Sequence, residues 1–223
     1  MLQRLLSFGV ENGIFKILPI KDIDKSCCKV STTEVIDFDE TKRMIIAEIN
    51  SSKWKMQEPK SCDALKIIPQ VNRLDFIEFK GLNTFLERLE DSGKNVEEEI
   101  SKQIGKFEFG TKIFDSFQVL DYVLKSAKFG MSKTERQSFA LVEKNYFIMV
   151  DIEVGEDGIQ DFALMMEFLS QTSNVRNTIL SYIKEDIKGL GGSGIVKMNS
   201  PKLINVKEVD KMYASVLSAV ANQ

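Results

Sequence analysis

Short apolar runs dominate the first part of the chain, and longer helical spacings dominate the rest. Residues 1–30 carry pieces such as Gly13-Ile14-Phe15-Lys16-Ile17-Leu18, broken by Pro19 and by charges, and they predict an early strand or short helix. Val35-Ile36-Asp37-Phe38 and Met44-Ile45-Ile46-Ala47-Glu48-Ile49 flank a polar stretch. They predict a hairpin, unless the second run opens a helix. Cys62–Ile68 and Leu74–Phe79 are apolar, β-rich runs joined by Pro69-Gln70-Val71-Asn72-Arg73, whose proline and asparagine suit a turn, so a second hairpin is expected there. Val96, Ile100, Ile104 and Phe107 recur at three- and four-residue spacing, with Glu97, Glu98 and Glu99 in the first turn. That pattern predicts a helix over 96–109, with acids at its positive end. Further helices are expected over 113–127, 160–188 and 206–220, and a strand over 146–154. Gly189-Leu190-Gly191-Gly192-Ser193-Gly194 reads as the turn that ends the 160–188 helix, because the Walker spacing and its Lys-Ser/Thr ending are missing.

Composition changes this picture mainly by exclusion. The chain has 223 residues, 43% hydrophobic and 28% charged, with a formal net charge of −3. This is an ordinary globular balance, and it suits a single domain over 1–223. There is no histidine at all. Ser-His-Asp and Cys-His catalysis, imidazole zinc sites and histidine pH switches are therefore excluded. Three cysteines without a Cys-x-x-Cys pair read as reduced thiols rather than a disulfide framework. No apolar run approaches the roughly 18 residues of a membrane helix, so a soluble, cytoplasmic protein without membrane contact is expected. Lys53, Lys55 and Lys60 around Trp54, and Lys125, Lys128, Lys133 and Arg136, are loose basic stretches. Either could touch a nucleic acid backbone, and either could be a solvated surface.

The chemistry gathers in the second expected hairpin. Strand side chains alternate faces, so Glu78 and Lys80 project together while Ile77 and Phe79 point the other way. An acid and a base side by side on an apolar strand are costly to bury unless they serve each other or a metal. Asp63 begins the neighbouring strand, and the start of one hairpin strand lies beside the end of the next. Asp63 and Glu78 can then converge, and two converging carboxylates need a cation between them. Hard oxygen ligands without His or Cys suit Mg²⁺ or Mn²⁺. A lysine two residues along can orient a water and stabilise charge on a phosphate. Asp63, Glu78, Lys80 and a divalent ion together make a site for metal-assisted phosphodiester hydrolysis.

Asp63, a gap, and then Phe76-Ile77-Glu78-Phe79-Lys80-Gly81 resembles the core of the PD-(D/E)XK nuclease superfamily, over about residues 58–151. The resemblance implies a restriction-endonuclease-like α/β core, a mixed central sheet flanked by helices. It implies catalysis by Asp63, Glu78 and Lys80, with Asp63, Glu78 and the backbone carbonyl of Phe79 holding the metal. Gln103 is similar in placement to the glutamine of a Gln-x-x-x-Tyr subset, although Phe107 stands at the tyrosine position. Glu48 or Glu58 would be the acid such proteins often contribute from an earlier helix. Cys62 replaces the proline that often precedes the Asp. The implied activity is a metal-dependent nuclease acting on nucleic acid, DNA in preference to RNA, of the kind met in phage, mobile elements or antiviral defence, with a homodimer or a larger complex as natural settings. The alternative is an inactive nuclease-like fold that works as a binding or assembly subunit, which the net negative charge favours. The segments 1–50 and 155–223 match no pattern.

Overall fold

In a computed structural model of the chain, residues 1–25, 27–51, 58–81, 102, 107–151, 199 and 201–221 are described. Among the described residues six strands form one sheet in chain order: β1 (Ile17–Pro19), β2 (Glu34–Asp37), β3 (Ala64–Ile68), β4 (Arg73–Lys80), β5 (Glu143–Val150) and β6 (Lys202–Asn205). The first four pair antiparallel, whereas β4–β5 and β5–β6 are parallel. The helices are α1 (Leu2–Glu11), α2 (Ile20–Ile23), α3 (Phe38–Ser51), α4 (Phe109–Lys125), α5 (Lys133–Leu141) and α6 (Val209–Ala221). The fold is α/β, a mixed central sheet flanked by helices.

Alternation along the strands builds two apolar layers. Leu65 and Ile67 of β3, Leu74 and Phe76 of β4, and Tyr146, Ile148 and Val150 of β5 pack with residues of α1, α3, α4 and α5. The opposite parity, Ala64, Ile68, Ile77, Phe79, Phe147 and Met149, packs with Ile20 of α2 and with Val209 and Tyr213 of α6. β4 and β5 are therefore covered on both faces, as expected of strands that carry parallel pairing. In α4 the buried residues Phe109, Ile113, Phe117, Leu120 and Leu124 recur at helical spacing and form one apolar stripe against the sheet. α5 begins with a capping box: Ser132 and Glu135 satisfy each other's backbone N–H groups.

The turn between β3 and β4 is a short 3-10 segment, Pro69–Val71, closed by Asn72 at φ 51°. Asparagine tolerates this left-handed conformation better than most side chains. The hairpin expected over 62–79 is thus present. The other expected hairpin is not: Val35 and Ile36 lie in β2, but Phe38–Ser51 is helix α3, the alternative that the sequence left open. The early segment contains both a helix and a short strand. Phe107 is in a turn and Glu108 is left-handed at φ 50°, so the helix expected to run to 109 does not include these two residues. The rest of that helix, Gln103 with it, lies outside the described residues apart from Lys102, as do the 160–188 helix and the glycine cluster. Among the described residues no helix is long and apolar enough to cross a membrane.

Gly9 sits where α1 meets the loop after it. A Cβ there would lie 2.0 Å from Cδ2 of the buried Phe15 ring. Gly9→Ala is therefore expected to destabilise the protein by about 1–3 kcal/mol, the usual cost of overpacking, although alanine is the better helix former. A lower urea midpoint with an unchanged slope would report it. An unchanged midpoint would mean that Phe15 relaxes freely.

A candidate active site at the end of the central strands

Four consecutive residues, Lys60 to Asp63, are tied to the helices on either side. The Lys60 N–H donates to Asp115 Oδ2 on α4 at 2.8 Å, and the Ser61 hydroxyl donates to Asp39 on α3. The Cys62 N–H donates to Ser116 Oγ on α4 at 2.7 Å, and the Phe38 N–H donates to the Asp63 carbonyl at 3.1 Å. Asp63 is thus delivered to a fixed place ahead of β3. The β3–β4 register pairs Ala64 with Ile77, so its continuation sets Asp63 opposite Glu78. Instead of continuing the ladder through its backbone, Asp63 uses Oδ2 to accept the Phe79 N–H at 2.7 Å. Its other oxygen is left for further partners.

Glu78 is fully buried on the face covered by α4. Its Oε1 accepts from the ammonium groups of both Lys80 and Lys112. Its Oε2 is buried and has no hydrogen-bond partner among the described residues. Lys80 also donates to the Phe79 carbonyl at 3.1 Å, and its Nζ lies 5.0 Å from the centre of the Phe107 ring. Lys112 Nζ reaches past Glu78 to within 4.0 Å of Asp63 Oδ1. One lysine therefore lies within ion-pair distance of both carboxylates, and Asp63 follows the hairpin register that sets it opposite Glu78.

The electrostatics follow from this crowding. Burial first, and then the charge of Glu78, push the Asp63 carboxyl up to about 7, against the pull of Lys80, Lys112 and the Phe79 N–H. Burial alone would lower Lys112, but the charges of Glu78 and Asp63 and its bond to Glu78 outweigh it, and the net shift is upward. Burial, and then the charge of Glu78, raise the Cys62 thiol well above the ordinary range, so Cys62 packs rather than reacts. Cys27 and Cys28 are likewise buried free thiols raised by desolvation.

The accessory acids lie elsewhere. Glu48 on α3 pairs with Lys128 at 2.7 Å, and Glu58 faces Lys42 at 3.5 Å. Among the described residues no group of three or more Cys, Asp or Glu is placed to hold a metal ion, so neither glutamate joins the pair as a third ligand. Much of the basic surface is also paired with acid: Lys60 with Glu108, Lys125 with Asp121 and Lys128 with Glu48. Lys53, Trp54 and Lys55 lie outside the described residues.

Lys112 was not legible as a site residue. It is one of several polar positions on an amphipathic helix, and only the register of that helix against β4 singles it out. No family model, no curated protein and no solved structure matches this chain.

Proposed function

We propose that the protein is a metal-dependent nuclease that hydrolyses phosphodiester bonds of nucleic acid, with DNA favoured. The observation that carries this reading is the convergence of Asp63 and Glu78 at one end of the hairpin, with Lys80 on the same face. The donor chemistry suits a divalent ion: Glu78 Oε2 is a buried carboxylate oxygen without a partner among the described residues, and Asp63 Oδ1 and the Phe79 carbonyl are further hard oxygens on the same stretch of the hairpin. Mg²⁺ and Mn²⁺ are the ions for such a set, and with only two carboxylates several positions would remain for water and substrate. When bound, the ion supplies electrostatic stabilisation at a phosphoryl oxygen. Asp63 and Glu78 hold it. The Phe79 N–H keeps Asp63 in one rotamer, so this acid is oriented in advance. Lys80, braced by Glu78 and the Phe79 carbonyl, positions the attacking water and faces the charge that builds on the phosphate. The Phe107 ring also lies within cation–π range of the Lys80 ammonium.

The test is a cleavage assay on linear and circular DNA and on single-stranded RNA with Mg²⁺ or Mn²⁺. Wild type is compared with Asp63→Ala and Lys80→Ala. Each variant is expected to lose about a hundred-fold or more in rate, the scale of removing one preorganised catalytic group. Cleavage that survives both substitutions overturns the assignment.

A second reading is a catalytically silent fold acting as a subunit of a complex or as a homodimer. The pairing of Lys60, Lys125 and Lys128 with acids favours it, because paired lysines contribute less to holding a phosphate backbone. A wild-type protein inert on every substrate, but recovered in a stable complex with one protein partner, would establish that alternative.

A further inference from the structure

Among the described residues, Glu78 carries two ammonium groups on one oxygen and none on the other. The two lysines are not equivalent. Lys80 comes from the same strand as Glu78 and meets that acid and a backbone carbonyl. Lys112 comes from α4, and its Nζ lies within ion-pair distance of both Glu78 and Asp63, while Lys80 also acts on Asp63 through its charge. Its place on the helix is fixed from the Asp63 side: the Ser116 hydroxyl accepts the Cys62 N–H and donates to the Lys112 carbonyl, at 2.7 Å each. The helical turn that carries Lys112 is thereby bonded to the residue just before Asp63. Two acids and two ammonium groups also balance in charge. A divalent ion shared by the same acids would bring two more positive charges to within a few ångströms of Lys112.

We infer that Lys112 is a resident counter-cation: it holds the Asp63–Glu78 pair together without metal, and it competes with Mg²⁺ or Mn²⁺ for that pair. This rests on the metal-binding reading of Asp63 and Glu78. Loading the site then sets the ion against a cation already beside the same acids, and the wild-type affinity for the ion is held down by its own lysine.

Calorimetric titration of Mn²⁺ into the metal-free protein, without nucleic acid, tests this. The proteins compared are wild type, Lys112→Met, Lys112→Gln, Lys112→Arg, Lys60→Met and Asp63→Asn, each checked for folding by circular dichroism. Lys112→Met and Lys112→Gln should bind Mn²⁺ about ten-fold more tightly, the scale of one partly screened charge next to the ion. Lys112→Arg keeps the charge and should not gain. Lys60→Met removes a lysine held by Glu108 and should match wild type. Asp63→Asn should lose binding. If the neutral Lys112 variants bind no more tightly than wild type, or if Lys112→Arg gains as much, the role of Lys112 is overturned while the metal site stands. If no variant takes up Mn²⁺, or if Asp63→Asn binds as wild type does, the metal-site reading fails and this inference fails with it.

Discussion

Asp63→Asn should yield a protein that is more stable than wild type without metal, yet about a hundred- to a thousand-fold slower in metal-dependent cleavage. The two effects share one cause. Asp63 sits beside Glu78, and burial together with that neighbour raises its carboxyl to about 7. Its folded-state pKa therefore lies above the unfolded value near 3.8. Between those values the native protein binds more protons than the unfolded chain, so stability falls as pH rises through the window. Above it the ionised acid is retained at a cost. Asparagine removes the charge but keeps an oxygen that can accept the Phe79 N–H. The gain at pH 7.5 is expected to be about 1–3 kcal/mol, and it should vanish towards pH 4. Thermal melts across that range in the presence of a chelator measure it. A variant that melts at or below wild type at pH 7.5 would show that the lysines already compensate Asp63 fully.

The second large effect lies away from the site. Lys144 is 1% exposed, inside β5, and among the described residues no carboxylate is bonded to its ammonium. Its three donors go instead to the carbonyls of Phe139 at 2.7 Å, Val142 at 2.9 Å and Ala140 at 3.4 Å, at the end of α5. The Phe139 ring centre lies 4.6 Å away. A lysine folded back onto the last carbonyls of a helix satisfies acceptors that the helix leaves open, and it sits at the negative end of the dipole. Lys144→Met keeps the apolar stem and removes the donors. It should cost about 2–4 kcal/mol, since buried carbonyls lose their partner, and the melting temperature should drop by several degrees. The sign with pH is opposite to that of Asp63. Burial lowers the ammonium from 10.5 to about 7, so between these values the unfolded chain binds more protons and stability rises with pH. The gap between wild type and Lys144→Met should therefore widen from pH 7 to pH 10. A constant gap would indicate that the three carbonyls keep the ammonium charged throughout.

The residues that follow a strict local rule were the ones legible in the sequence. The β3–β4 hairpin was visible because alternation and turn chemistry agree: Leu74 and Phe76 on one face, Ile77 and Phe79 on the other, and Pro69 and Asn72 in the connection. Placing Asp63 against Glu78 needed only that register. Lys112 and Lys144 needed tertiary information. A lysine on an amphipathic helix looks the same whether it faces water or an acid. Lys144, between Glu143 and Asn145, looks like the polar end of a loop, so the strand was expected to begin at Tyr146, whereas β5 begins at Glu143. α3 was ambiguous for a related reason: Met44–Ile49 is a short apolar run that period alone assigns to neither class.

The parallel pairing of β4 with β5 has a practical side for anyone redesigning the protein. Lys80 and Val150 are register partners, so the chain leaves both strands at the same rim of the sheet, beside Glu78. The two longest intervals between described elements, after Lys80 and after Val150, both set out from there. Substitutions at Gly81 or Asp151, the described residues that directly follow those register partners, fall at that rim while leaving Leu74, Phe76, Phe147 and Ile148 untouched. A library built at those two positions could vary the rim that carries Lys80 without spending its members on broken cores.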